Sequence, residues 1–383
     1  MRSVAVVGAG ISGLLAAYYT SKELPRSSIR VYEARNYIGK PHCTGLISTE
    51  TLSRLPFARE YVLRSYRTLK VFIPEIKTSI DVLFEKESFV KIDRVKLEKR
   101  LHHELASTGV EVSLGNTVHG LFSADRRWLV YSKLGGAHIY DFLVLASGYG
   151  TKLAKTVGLR SRVGALSGVQ VELGVGSRSS FSEDAVLVLL SRYFGGGFAW
   201  VVPVGDREVI TGCATDPKVV ESFKCLNIVL SLVAKKFGGC RTLSQPYGGV
   251  VLRGYPISLY TEKAIGLGDS VAMVKSISGG GLYAISIASK LIPAFIMRKH
   301  YLLSSLRTLS RELRRHYYVA RALTAFLNIA ESIGIRNKYL EVSASRVSYD
   351  DHLALLLKMI TSREVLAELV RRSSITYETR SAS

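Results

Sequence analysis

The chain has 383 residues, 47% of them hydrophobic, enough to bury a large core in two or three domains. Its 52 Lys and Arg against 31 Asp and Glu leave a formal charge of +21. Such an excess calls for an anionic partner; no nucleic-acid-binding motif is present, so that partner is a membrane surface or a phosphorylated substrate.

In chain order, residues 3–35 carry the strongest signal. A short apolar strand, Val4 to Val7, runs into Gly8-x-Gly10-x-x-Gly13, then an alanine-rich helix, then a second strand, Ile29 to Tyr32, ending in Glu33. Gly8 allows the tight turn, Gly10 lets backbone approach a pyrophosphate, and Gly13 lets helix and strand pack closely. Free N–H groups at the helix start face the phosphates. Glu33 sits where a carboxylate accepts from ribose hydroxyls. Residues 70–92 alternate as strands, and Asp93 to Thr108 reads as a helix with Asp93 as its N-cap and Arg94 in its first turn. Strands return over 110–145, ending at Gly148; 165–215 is strand-rich and 218–238 helical. Residues 261–300 hold an apolar strand, a glycine-rich loop and a helix, and beyond 300 the chain reads as almost all helix.

The order implies an α/β protein. A Rossmann-like nucleotide-binding domain (1–70, 93–165 and 250–300) is interrupted by an antiparallel-sheet substrate domain (71–92 and 166–249), and a helical C-terminal region (301–383) follows. Four cysteines, Cys43, Cys213, Cys225 and Cys240, form no CxxC pair, so neither a metal centre nor a disulfide framework is expected. A core strand from residue 3 argues against a signal peptide. The longest apolar run, Gly281 to Met297, is broken by Lys290 short of the roughly 18 residues a span needs, which leads us to expect a cytosolic protein able to sit at the membrane periphery.

A second glycine motif decides between cofactors. Ala264-Ile-Gly-Leu-Gly268-Asp269 precedes Ser278-Gly-Gly280-Gly281 and a helix, some 260 residues after the first motif. An extended FAD needs such a second segment for its ribityl chain; NAD does not. Asp269 can accept from a ribityl or ribose hydroxyl. The helix beginning near Gly281 would aim its positive end at the flavin N1/C2 carbonyl region.

Together, GAGISG, the Asp93-Arg94-x-x-Leu97 helix and GD…SGGGLYAI resemble the para-hydroxybenzoate hydroxylase-like FAD superfamily. Lys40-Pro-His-Cys43-Thr-Gly45 and Phe198-Ala-Trp200-Val-Val-Pro203 further resemble the geranylgeranyl reductase family, over roughly residues 1–300. That resemblance implies saturation of isoprenoid double bonds of membrane lipids, with archaeal digeranylgeranylglycerophospholipid reductases as the nearest match. It places FAD contacts on Gly8, Gly10, Ile11, Ser12, Gly13, Glu33, Ala34, Cys43, Gly45, Arg94, Gly148, Gly268, Asp269, Gly280 and Gly281. It makes Cys43 the catalytic candidate and puts Phe198, Trp200 and Pro203 on the substrate cavity. The chain departs from the family where Gly212 is followed by Cys213 and Ala214, where Phe198 replaces the usual Tyr and Val202 the usual Phe, and where Ser147, not an acid, precedes Gly148.

An isolated alkene is a poor hydride acceptor, so its reduction also needs a proton. Cys43 is the candidate donor, with His42 able to tune it. The partners implied are a geranylgeranylated glycerophospholipid, an anionic membrane surface, and an electron donor, either NAD(P)H or a ferredoxin-like protein. From Leu302 onward, Leu306, Leu309, Leu313, Tyr317 and Ala320 recur at helical spacing, with Arg307, Arg311, Arg314, Arg315 and Arg321 opposite. This basic amphipathic helix either docks on phospholipid or caps the protein. Ser348-x-x-Asp351 reads as a capping box before a last helix. The alternatives are a flavin monooxygenase or halogenase of the same fold, and a non-redox FAD-bound cyclase or escort-type prenyl-binding protein.

Overall fold

The strand Ser3–Val7 lies at the centre of a parallel sheet and is buried on both faces, which is why its sequence is an unbroken apolar run. In a computed structural model, which describes residues 2–41, 43–86, 88–150, 152–176, 184–299, 303–329, 339–344 and 347–360, this sheet runs Ala264–Gly266, Phe142–Leu145, Ser3–Val7, Ser28–Tyr32, Glu111–Ser113. Every neighbouring pair is parallel. The described residues fall into two compact units. The first comprises Met1–Arg64, Lys91–Gly168 and Tyr247–Arg321; the second comprises Ser65–Val90, Val169–Pro246 and those after Arg321.

In the first unit, helix Ile11–Glu23 packs against helix Arg94–Ala106 and against Ile292–Ile296. Asp93 caps Arg94–Ala106 as expected, its carboxylate accepting from the Lys96 N–H at 3.0 Å. Leu97, Leu101 and Leu105, spaced one turn apart, are fully buried. An antiparallel meander, Val118–Ala124, Arg127–Ser132 and Gly136–Tyr140, belongs to the same unit.

The second unit is built on a sheet ordered Cys240–Thr242, the part of Arg160–Val175 from Val169 on, Glu208–Thr215, Phe198–Pro203, Ala185–Leu190, Thr68–Ile73, Thr78–Leu83, Tyr339–Ser343. Helix Ser222–Phe237 covers it through Cys225, Leu226, Val229, Val233 and Phe237, which pack with Val171, Leu173, Val201 and Cys213. Burial and a hydrogen bond with the Cys225 thiol push the Cys213 thiol well above its ordinary range.

Three features differ from the sequence reading. The sheet is mixed: Ala185–Leu190 runs parallel to Thr68–Ile73, and Tyr339–Ser343 parallel to Thr78–Leu83. A parallel partner has to return by a long crossover, and more than 100 residues separate each pair. The C-terminal region is not purely helical, because Tyr339–Ser343 alternates and pairs as a strand; its described residues divide at Arg321 between the two units. The last helix, His352–Ile360, is capped by Asp351, which accepts from the Ala354 N–H at 2.9 Å; Ser348 instead receives the Asp350 N–H one turn earlier. Among the described residues no helix is long and apolar enough to cross a membrane.

Leu101 is wholly enclosed, so Leu101→Ala should destabilise the protein by about 2–5 kcal/mol, read as a lower denaturant midpoint at unchanged slope.

Candidate functional site

The fingerprint glycines are needed for space. Gly8 has φ +105°, and a Cβ there would lie 2.2 Å from the Ala146 carbonyl oxygen. A Cβ on Gly13 would stand 1.8 Å from the Gly8 carbonyl oxygen, so helix Ile11–Glu23 can approach the strand only through glycine. At Gly10 a Cβ would meet nothing within 4 Å: the backbone faces open space. Gly10 is the helix N-cap, without a side-chain cap and without an acid in the first turn. The first N–H groups of this 13-residue helix are therefore available to an anion.

Glu33, at the end of Ser28–Tyr32, is buried. One carboxylate oxygen accepts from the Ala9 N–H at 2.7 Å; the other accepts from the Arg35 N–H at 3.0 Å and the Arg35 Nε–H at 2.8 Å. Burial alone would raise its carboxyl, but Arg35 and the backbone donors outweigh it and hold the group below the usual range. Ala34 beside it is exposed, and Ile11 and Ser12 are buried under the turn.

The second glycine motif meets the first. Gly268 has φ +62°, and a Cβ there would fall 2.4 Å from the Ser12 hydroxyl oxygen. Asp269 follows it with solvent access, and the protein packed around it pushes its carboxyl up against the opposing pull of Arg94. Arg94, in the first turn of Arg94–Ala106, donates from Nε to Glu98 at 2.8 Å, with side-chain exposures of 14% and 2%. Burial acts against its charge, but Glu98 and the nearby Cys43 outweigh burial and raise its pKa. Cys43 is exposed, and its sulfur accepts from the Gly45 N–H at 3.4 Å. Gly45, at φ +77°, crosses tightly over the strand Phe89–Ile92: a Cβ would lie 2.6 Å from the Ile92 carbonyl oxygen. The Ile92 N–H closes the crossing by donating to Gly45 at 2.9 Å.

So Cys43 and Asp269 lie about the Arg94 guanidinium, and Gly8, Gly10, Gly13 and Gly268 about one turn. Gly148, at φ +72°, has open space around it. Gly280 accepts from the Lys275 N–H at 3.0 Å, and Gly281 caps Leu282–Ala288, a helix of only seven residues. The helical backbone then runs on through Ser289–Leu291 and Ile292–Ile296. His42 lies outside the described residues.

Phe198, Trp200 and Pro203 lie on a strand of the second unit. The Phe198 and Trp200 rings are 5.6 Å apart and half-buried. Trp200 pairs with Gly212, where a Cβ would press to 2.7 Å on the indole; Gly212 is therefore a seat for Trp200. Pro203 is buried, and its carbonyl accepts from the Tyr66 hydroxyl.

Sequence reasoning missed Glu98, Arg35 and Lys275. Glu98 stands four residues after Arg94, an ion-pair spacing that was the available signal. Arg35 lies two residues past Glu33. Lys275 is fully buried, with its Nζ 4.2 Å from the Tyr283 ring centre.

Residues 6–62 match the model of the NAD(P)-binding Rossmann-like domain. A digeranylgeranylglycerophospholipid reductase of Methanocaldococcus jannaschii is 23% identical over 295 residues, covering 73% of each chain. A geranylgeranyl bacteriochlorophyll reductase-like protein from Thermoplasma acidophilum superposes with TM-score 0.77 at 19% identity, covering 97% of this chain and 98% of that one. The flavin-dependent halogenase CmlS superposes at 0.67, with 16% identity and 95% and 71% coverage. Halogenase PltM, solved with phloroglucinol and FAD, superposes at 0.65, with 11% identity and 86% and 78% coverage. The chain has the FAD-dependent oxidoreductase fold. The open cradle at Gly10 with the Ser12–Gly268 closure fits the FAD that the two glycine motifs lead us to expect. The resemblance to geranylgeranyl reductases is borne out by the relatives.

Two outcomes test this flavin site. Gly13→Ala should purify without bound flavin, read from the missing visible absorbance, because the helix must move off the strand. Glu33 is held ionised by folding, so its contribution to stability is complete above its ordinary value of 4.5 and is lost as pH falls through its depressed folded value. The stability gap between the protein and Glu33→Gln should therefore be constant above the ordinary value of 4.5 and close as the solution becomes more acidic than that.

Proposed function

We propose that this chain saturates carbon–carbon double bonds in geranylgeranyl chains carried on glycerophospholipid. The reading is carried by the Cys43 thiol held against the Arg94 guanidinium, in a chain whose curated relative bears the name of that reaction.

FAD, when bound and reduced, supplies two electrons and one hydrogen to one alkene carbon. The other carbon must receive a proton, and Cys43 is the group that holds one. When its S–H bond breaks toward carbon, the thiolate left behind faces Arg94, whose charge stabilises it. Glu98 keeps that guanidinium oriented, and Cys43, being exposed, takes its next proton from water. Asp269, Glu33 and the open face at Gly10 are the cofactor-holding groups. Phe198 and Trp200 supply the half-buried apolar surface that a prenyl chain needs. NAD(P)H or a ferredoxin-like protein serves as electron donor, and the substrate's location calls for contact with an anionic membrane surface.

A flavin-dependent halogenase is the second reading, favoured by the likeness to CmlS and by the Phe198-Ala-Trp200 strand.

Anaerobic reduction with dithionite followed by geranylgeranylated phospholipid separates the two. A mass gain of one H2 per double bond is expected; an unchanged lipid, or reaction only in air with halide, would overturn the reductase reading. Cys43→Ser should slow alkene saturation by roughly 10²–10⁴-fold while flavin binding is retained. Saturation at the parent rate would remove the thiol from the mechanism.

A further inference from the structure

Three stretches of the sequence, 142–171, 222–261 and 313–330, contain no Asp or Glu. The first unit gathers one cluster of side chains from all three. Arg162 comes from strand Arg160–Val175, Arg253 and Tyr255 from Tyr247–Ser258, and Arg314, Tyr317 and Tyr318 from helix Ser304–Ile329. The two strands pair and run close at Gly254, where a Cβ would lie 2.1 Å from the Arg162 carbonyl oxygen. The helix buries its apolar stripe, Leu306, Leu309, Leu313 and Ala320, and so leaves Arg314 and Tyr318 exposed and Tyr317 half-buried. Its basic face is therefore not backed by an apolar face open to a membrane.

The Tyr317 ring centre lies 5.3 Å from that of Tyr255 and 5.4 Å from that of Tyr318. Arg162 donates from Nε to the Tyr317 hydroxyl at 3.0 Å, with its guanidinium 5.6 Å from the same ring centre. Arg314 stands 6.0 Å and 5.8 Å from the ring centres of Tyr255 and Tyr318. Among the described residues neither arginine forms an ion pair. Arg253, two residues before Tyr255 and so on the same face of its strand, donates to two neutral carbonyls, Ser276 at 3.3 Å and Ala320 at 3.2 Å. Burial holds its guanidinium below the ordinary range, so an anion brought beside it would be favoured. The neighbouring Tyr255 hydroxyl and the charges of Arg314 and Arg162 hold the Tyr318 phenol below its ordinary range, the mark of a positive local field. Cations gathered without an acid repel one another, and exposed contacts with ring faces return only about 0.5–1 kcal/mol each. A guanidinium beside a ring keeps its edge N–H groups for a planar, bidentate acceptor. Tyr317, whose oxygen accepts from Arg162, keeps its own O–H to donate. We infer that Arg162, Arg314 and the Tyr317 hydroxyl, with Arg253 behind them, form a binding site for a phosphate group. Assigning that phosphate to the glycerophosphate headgroup of a lipid rests on the function proposed above; the phosphate chemistry of the site does not. Arg253 also ties the site to the second glycine motif, because Ser276 stands two residues before Ser278-Gly-Gly280-Gly281 and its hydroxyl accepts from the Gly254 N–H at 2.8 Å.

The test is calorimetric titration of the flavin-loaded protein in about 0.15 M salt with two probes, dihexanoyl phosphatidic acid below its micelle concentration and inorganic phosphate. Both should bind saturably and compete. Tighter binding of the lipid probe assigns the site to a headgroup; equal binding keeps the phosphate site and overturns the headgroup assignment. Arg162→Gln/Arg314→Gln should weaken both at least about tenfold, with flavin absorbance and melting temperature retained. Arg162→Lys/Arg314→Lys should fall between that variant and the parent, since an ammonium keeps the charge but not the planar fork. Tyr317→Phe keeps the ring and loses the O–H, and should weaken binding about two- to tenfold; it carries the test if the double glutamine variant does not fold. Arg126→Gln/Arg127→Gln, the same charge loss on exposed arginines of the meander, should bind as the parent does. Parent affinity in Arg162→Gln/Arg314→Gln or in Tyr317→Phe overturns the inference, as does a parent that binds neither probe or an equal loss in Arg126→Gln/Arg127→Gln. Failure of lipid reduction with probe binding intact would strike the reductase reading and leave the phosphate site standing.

Discussion

The buried charge of Arg94 organises the candidate site. A guanidinium this enclosed is tolerated only with partners, because removing an ion from water costs several kcal/mol unless charge and hydrogen bonds replace the solvent. Glu98 provides the charge from the same helix, and the Cys43 loop and Asp269 come in from distant parts of the chain. The consequence is coupling. The thiol, the Asp269 carboxylate and the helix that packs on Ile11–Glu23 share one cation, so moving any of them disturbs the others.

A second constraint is steric. Three backbone segments meet at the fingerprint turn, and at Gly8, Gly13 and Gly268 each approach is closer than a Cβ allows. This explains why so much of the first unit was legible in the sequence. Glycines at such approaches cannot be replaced, and the strand–turn–helix spacing around them is local. The Asp93 cap was readable for the same reason, since its acceptor and donor are three residues apart.

What stayed hidden depends on distant packing. Glu98 sits in a helix rich in Lys, Arg and Glu and looks like a surface residue; only the fold reveals that it is buried. The strand Tyr339–Ser343 is five residues long in a helix-rich stretch, and its partner Thr78–Leu83 lies more than 250 residues earlier. The helix Ser304–Ile329 was found from its periodicity, but periodicity does not say whether an apolar stripe meets lipid or protein. Here it meets protein.

The late return of Tyr339–Ser343 also shapes how the protein is made. The sheet of the second unit draws on chain from three separated stretches, around 68–83, 169–242 and 339–343. During synthesis the Thr78–Leu83 edge must wait, with unpaired backbone groups, until residues 339–343 have left the ribosome. Pairing of such high sequence separation is slow to form, and open strand edges invite association between chains. A nascent chain that stalls before residue 339 therefore presents an uncapped β-edge, and Tyr339–Ser343 acts as the stitch that closes it.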